Sequence, residues 1–203
     1  MKCVKRRIGA ILGILALAVG TVVAAAGPAT AAPPAESVLV VDAEGQPVDG
    51  TALRNGGGVG TLALTPGASF DGYVSGVQVH FANAYQWLDR GNSWTFGNAR
   101  LSMQTDGNLV VYNRHTGAAR WASHTYGSGS VQMLFQPDDN LVLYTGTEGR
   151  GTAKWSSGTY HRCNSAEAPL LGLQADSNFV IYCGTVSGGN LYVRAIWATN
   201  TVM

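Results

Sequence analysis

The sequence predicts an all-β fold in which three similar groups of short strands surround a shared axis. A nine-residue pattern occurs three times, its copies starting 32 and 38 residues apart. The fixed residues of each copy recur at every second position, which is the two-residue period of a strand. The 203-residue chain has 27 glycines and only 12% charged residues, which is typical of short strands joined by tight turns.

The repeated motif reads Gln-x-Asp-x-Asn-x-Val-x-Tyr and occupies residues 104–112, 136–144 and 174–182. Because alternate residues of a strand share a face, the five fixed side chains are predicted to form one outer row. The residues between them near the end of the motif are apolar and are predicted to face a core: Leu109, Val111, Leu141, Leu143, Phe179 and Ile181. One repeat is too short to bury its own core, so three sheets are expected to pack around one axis.

A second element follows each motif and begins with a tryptophan. The three copies start at Trp121, Trp155 and Trp197 and continue with Ser, Thr and other small residues. One large aromatic side chain per repeat is suited to filling the centre where the repeats meet. We therefore predict that these tryptophans belong to the core and are not surface platforms for a ligand.

The fixed residues of the motif have the chemistry to bind a ring that carries hydroxyl groups. Gln and Asn amides both donate and accept, Asp accepts, Tyr adds a hydroxyl and Val offers an apolar contact. Alternate residues lie about 6.5–7 Å apart, a spacing that suits neighbouring hydroxyls. The alternative is turn chemistry, since Asp-Gly-Asn is a good hairpin turn. That alternative does not explain why Gln and Tyr also recur.

The three motifs, with the segment Leu88–Gly97 ahead of them, resemble the bulb-type mannose-binding lectins in their secreted bacterial form. The resemblance implies a β-prism of three four-stranded antiparallel sheets with pseudo-threefold symmetry over residues 87–203. It also implies pockets for mannose or mannose-containing glycans, in which Asp and Asn hold the axial 2-hydroxyl, Gln the 3-hydroxyl, Tyr the 4-hydroxyl and Val the ring carbons. The implied carbohydrate-binding residues are Gln104, Asp106, Asn108, Val110, Tyr112, Gln136, Asp138, Asn140, Val142, Tyr144, Gln174, Asp176, Asn178, Val180 and Tyr182.

No metal or other cofactor is expected, because one carboxylate per row gives too few hard oxygen ligands for calcium. An enzyme is also not expected. A glycosidase needs two carboxylates within roughly 5–10 Å, whereas each row has one shared Asp. Asp139 adds a second carboxylate only in the middle repeat, where the period of two points it away from the row. The alternative function is a lectin-like antibacterial protein that uses its sugar sites for targeting.

Residues 1–31 are predicted to be a signal peptide. Four basic residues precede the apolar stretch Ile8–Ala26, and Ala29 and Ala31 fit a cleavage site. The alternative is a retained membrane anchor. Cleavage would make the protein extracellular, with no membrane partner. It would leave 9 Lys and Arg against 12 Asp and Glu, a net charge near −3, which argues against nucleic acid as a partner.

Two cysteines would remain after cleavage, Cys163 and Cys183, and in an exported protein they are expected to form a disulfide. A metal site with His161 is the weaker reading because its ligand set is incomplete. Residues 32–86 fall outside the resemblance. Strands are expected at 38–41 and 77–81 and a flexible break at 55–58, so this extension could be extra sheet, a removable pro-segment or a partner-binding piece. The sequence leaves a homodimer open.

Overall fold

The computed structural model describes residues 37–50 and 68–201, all of which belong to one compact unit, Ala35–Met203. The predicted signal peptide and the glycine-rich break at 55–58 lie outside the described residues. Within the described ranges no helix is long and apolar enough to cross a membrane.

The described part of the chain is all-β, as predicted. Its strands are β1 (Val38–Leu39), β2 (Ser69–Val74), β3 (Val77–Asn83), β4 (Gln86–Asp89), β5 (Ser93–Phe96), β6 (Ala99–Met103), β7 (Leu109–Asn113), β8 (Ala119–Ala122), β9 (Gln132–Phe135), β10 (Leu141–Tyr144), β11 (Ala153–Ser156), β12 (Ala168–Gln174), β13 (Phe179–Ser187) and β14 (Asn190–Ala198).

These strands form three antiparallel sheets, one for each repeat, which confirms the predicted prism architecture. The first sheet has the order β5-β6-β7-β8 and the second has the order β11-β10-β9-β4. The third has the order β1-β14-β13-β12-β3-β2 and is larger than expected, with six strands. The second and third repeats each supply three strands of their own sheet, so the fourth strand comes from upstream, from β4 and β3 respectively.

The expected division of the chain between residues 86 and 87 falls inside strand β4, which begins at Gln86. Strand β3 pairs with β12 over five residues, from Asn83 opposite Leu170 to Val79 opposite Gln174. The described strands of the 32–86 extension, β1, β2 and β3, thus belong to the third sheet.

The main core lies where the three sheets meet. All six apolar residues predicted to face it are fully buried. Trp121, Trp155 and Trp197 surround the axis, with ring centroids 5.6, 5.6 and 5.9 Å apart in edge-to-face pairs. This geometry is favourable for aromatic rings, and it confirms the tryptophans as core residues.

The third sheet closes on itself through residues 38–41. Val38 pairs with Val193 on β14. Val41 then exchanges two backbone hydrogen bonds with Tyr73 on β2, at 3.1 and 2.7 Å. The two edges of the sheet are thereby joined, and its outer face encloses a second core. The buried members of this second core are Val40, Val74, Val79, Phe81, Leu170, Val180, Tyr182, Leu191 and Val193.

A disulfide joins Cys163, ahead of β12, to Cys183 on β13, as predicted. Beside it, the Arg194 guanidinium donates to Glu167, with Nε 2.7 Å from Oε1. Burial raises the pKa of Glu167, but hydrogen bonds from Arg194 and from the Asn164 amide outweigh burial and hold it below its ordinary value of 4.5. The loop between β11 and β12 is therefore held by a covalent bond and an ion pair.

Candidate functional site: three polar rows

The five fixed residues of each motif form a polar row on the outer face of one sheet, and each row begins in a tight turn. The fourth motif position has a positive φ in all three copies: 89° at Gly107, 72° at Asp139 and 76° at Ser177. In the first row one carboxylate oxygen of Asp106 accepts the backbone N–H of Asn108 at 2.9 Å. The same bond measures 3.1 Å in the second row and 3.0 Å in the third. The motif Asp therefore uses one oxygen for the turn, and its other oxygen takes no part in this bond.

The motif Asn holds the turn to the tryptophan element. The side-chain oxygen of Asn108 accepts from the Ser123 hydroxyl and from the Thr125 backbone N–H, both at 3.1 Å. A backbone N–H can only donate, so the amide oxygen must face it and the amide NH₂ is left for other partners. Equivalent bonds reach Asn140 from Ser157 and Thr159, and Asn178 from Thr199 and Thr201. The sequence showed this element recurring in step with the motif, but its clamping role was missed.

The two ends of each row are joined by a hydrogen bond between side chains. The Gln amide NH₂ donates to the Tyr hydroxyl at 2.6 Å in the first row, 3.2 Å in the second and 2.7 Å in the third. The Gln oxygen then remains as an acceptor and the phenolic O–H as a donor. Each row can therefore offer two acceptors, from Asp and Gln, and two donors, from Asn and Tyr.

The three rows differ in exposure. In the first row Asp106 is exposed, and Gln104, Asn108 and Tyr112 are partly exposed. The polar residues of the second row are all partly exposed: Gln136, Asp138, Asn140 and Tyr144. In both rows the valine is nearly buried and forms the floor: Val110 and Val142.

The third row is closed. Gln174, Asn178 and Tyr182 are only 8, 7 and 4% exposed, because residues 38–41, β2 and β3 enclose this face of the sheet. The Phe81 ring lies 5.6 Å from the Tyr182 ring, and burial raises the pKa of Tyr182 well above its ordinary value of 10.0.

The expectation of three similar open pockets therefore does not fit the third sheet. Val180 also belongs to the second core, and only Asp176 of this row is partly exposed. The Tyr182 ring covers Gly172 so closely that an added Cβ there would lie 2.7 Å from a ring carbon. The sequence could not reveal this closure, because the third motif has the same five residues as the other two.

Asp139 does not add a second carboxylate to the second row. It is 4% exposed and accepts the Cys163 backbone N–H at 2.7 Å. Burial raises its pKa above the ordinary value of 3.8. The row therefore contains a single outward carboxylate, that of Asp138, which does not suit the two-carboxylate chemistry of glycoside hydrolysis.

One cluster of potential metal ligands occurs among the described residues: Cys163, Glu167 and Cys183. Its two sulfurs are joined in the disulfide and its carboxylate is paired with Arg194. A thiolate is the form of cysteine that binds metal, so this donor set does not suit an ion.

No protein-family model matches the chain. Over 74 residues the chain is 36% identical to the B-type lectin plumieribetin of Scorpaena plumieri, a match that covers 36% of this chain and 60% of that protein. Among solved structures, it is similar to a monomeric monocot mannose-binding lectin of Gastrodia elata, with 35% identity, 61% of this chain and 98% of that chain covered, and a TM-score of 0.47. It is also similar to the mannose-specific agglutinin of snowdrop, Galanthus nivalis, complexed with methyl-α-D-mannoside, with 29% identity, 61% and 97% covered, and a TM-score of 0.43.

Proposed function

We propose that this chain is a lectin, a non-enzymatic protein that binds mannose or mannose-containing glycans without a metal ion. Two sites carry the activity, the first polar row and the second. The observation that supports this most is the pair of exposed rows, each with two acceptors and two donors left over from its own hydrogen bonds. The third row has the same residues but serves as part of the second core.

The arrangement of donors and acceptors suits a sugar that bears an axial hydroxyl. In the first row one oxygen of Asp106 and the NH₂ of Asn108 are left over from the internal bonds, so a sugar hydroxyl can donate to the first and accept from the second. By the sequence resemblance this is the axial 2-hydroxyl of mannose. Glucose lacks it, so a donor or acceptor covered by the bound sugar would stay unpaired, and we expect weaker binding. The partial likeness to a B-type lectin supports sugar binding as the function.

We also propose that the protein is exported. The signal-like residues 1–31 motivate this proposal, and the Cys163–Cys183 disulfide is consistent with an oxidising compartment. Amino-terminal sequencing of protein recovered from the culture medium tests it, and a mature chain that begins near residue 32 is the expected result.

Calorimetry with methyl α-mannoside tests the sugar sites. Each shallow row offers a few hydrogen bonds of about 0.5–1.5 kcal/mol, which after the cost of association gives a Kd on the order of millimolar. We expect two sites in the parent protein and one in Asp106→Asn or Asp138→Asn. The matched control Asp176→Asn should retain both, and the double variant at 106 and 138 should bind no mannoside. Binding that survives in a folded double variant would contradict the proposal.

A further inference from the structure

An exposed tryptophan lies on the same face as the second polar row. Trp87 on β4 is 57% exposed, whereas the three tryptophans of the axis are partly buried and pack against the core. An exposed indole is a large, partly apolar surface left in contact with water, and tryptophan is enriched at interfaces for this reason.

The strand register places Trp87 in line with the floor of the second row. Val142 on β10 pairs with Leu134 on β9, and Leu134 pairs with Trp87 on β4. Paired residues of antiparallel strands project from the same face, and neighbouring strands are about 4.8 Å apart. The indole therefore begins about 10 Å from Val142, which is beyond the ring held by the second row and within reach of the next ring of a chain.

Polar residues lie beside Leu134 and Trp87 on the same face of the sheet. Gln132, next to Tyr144 in the register, donates from its NH₂ to Asp89 at 2.7 Å. Its side-chain oxygen accepts the backbone N–H of Glu148 at 2.6 Å, which holds the loop after β10 against the sheet. A Cβ added at Gly149 in that loop would lie 3.1 Å from Leu134. Leu134 is thus the floor of a groove whose side is this loop and whose far end is Trp87.

The first polar row has no such groove. At the corresponding register positions, Val110 pairs with Ser102 and Ser102 pairs with Ser93. Two hydroxyls therefore replace the leucine and the indole. The two open rows share their five motif residues but differ in what lies next to them.

We propose that Trp87 and Leu134 form an additional subsite of the second row, which binds the next sugar of a mannose-containing oligosaccharide through its C–H face. This inference rests on the proposed function. The occupant is a sugar because the subsite continues the floor of the second row and is bordered on the same face by the exposed carboxylate of Asp89, which suits a hydroxyl. The first row, by contrast, binds a single terminal residue.

The test isolates the second row in an Asp106→Asn background and titrates it with methyl α-mannoside and with an α-linked mannobiose. We expect mannobiose to bind about 3–10-fold more tightly than the monosaccharide, on the scale of one aromatic contact. Trp87→Ala should abolish that advantage and leave monosaccharide affinity unchanged. Ser93→Ala, at the matching position of the first sheet, should change neither. In the wild-type protein, indole fluorescence should respond to mannobiose and lose this response in Trp87→Ala.

Three outcomes would overturn the inference. Trp87→Ala could leave the mannobiose advantage intact. It could weaken the binding of both sugars equally, which would make Trp87 a structural support for the second row itself. Sedimentation could also show a dimer that Trp87→Ala dissociates, which would make the exposed indole an interface between copies. A parent protein that binds no mannoside would instead refute the proposed function. Failure of this inference and failure of the proposed function are therefore distinguishable.

Discussion

Truncation of the motif tyrosines should separate the closed third row from the two open ones. Tyr144 and Tyr182 occupy the same motif position and accept the same hydrogen bond from a glutamine. They differ in surroundings, since Tyr144 is partly exposed and Tyr182 is 4% exposed within the second core. We therefore expect Tyr182→Ala to affect stability and Tyr144→Ala to affect sugar binding.

The magnitude follows from packing. Removing a buried aromatic ring costs about 3–5 kcal/mol in free energy of unfolding, and Tyr182 contacts both Phe81 and Gly172. Removing the partly exposed Tyr144 ring should cost about 1 kcal/mol. A second pair of variants, in which each tyrosine is replaced by Phe, tests the contribution of the phenolic hydroxyl alone. Tyr182→Phe leaves the Gln174 NH₂ buried without its acceptor, at a cost of about 1–3 kcal/mol, whereas water can replace the acceptor in Tyr144→Phe.

Urea unfolding measures the free energy of unfolding of both pairs of variants, and calorimetry with methyl α-mannoside counts the sugar sites in each folded variant. We expect Tyr182→Phe to retain two sites and Tyr144→Phe to retain one strong site. Equal losses of stability at the two positions would refute the assignment of the third row to a core. Loss of a sugar site in Tyr182→Phe would refute it as well.

Three further predictions concern the rest of the molecule. EDTA should leave mannoside affinity unchanged, because no row has the ligands of a metal site; loss of affinity that calcium restores would contradict this. Replacing Cys163 and Cys183 by Ala should lower the free energy of unfolding by about 3 kcal/mol, from the loop of 20 residues that the disulfide closes, and should leave the first row active. Glu167→Gln should be destabilising at neutral pH. Because the folded pKa of Glu167 is lowered, its contribution is present above 4.5 and lost as pH falls below that value, so parent and variant should converge in acid unfolding curves.

Much of the fold could be predicted because the repeat and the strand period act locally. The alternation around Leu109 and Leu141 specifies which face is buried, and the tryptophan spacing specifies what fills the axis. The closure of the third sheet could not be predicted, because it depends on pairing between Val41 and Tyr73 and between β3 and β12, which are far apart in sequence. Neither the motif nor its spacing contains information about those partners.

The same limit applies to the site. The chemical groups of each row follow from the motif, but their availability depends on neighbouring strands. Phe81 and Trp87 both come from segments ahead of the motifs, and the first lies against the Tyr182 ring of the third row while the second extends the second row. A motif that recurs unchanged therefore identifies the turn and the strand with more certainty than it identifies a binding site.

The asparagine that recurs in all three motifs gives this distinction a direct test. In all three rows its side-chain oxygen accepts hydrogen bonds from a hydroxyl and from a backbone N–H of the tryptophan element, whether the row is open or closed. Replacing Asn108, Asn140 or Asn178 by Ala leaves that backbone N–H without its acceptor, and each replacement should cost about 1–3 kcal/mol in free energy of unfolding. The asparagine thus holds the turn in every repeat, and its NH₂ is available to a sugar only where the row is open. Similar destabilisation by all three variants, with loss of a sugar site only at 108 and 140, is the expected result. If Asn178→Ala alone were destabilising, the clamp would be a feature of burial and not of the motif.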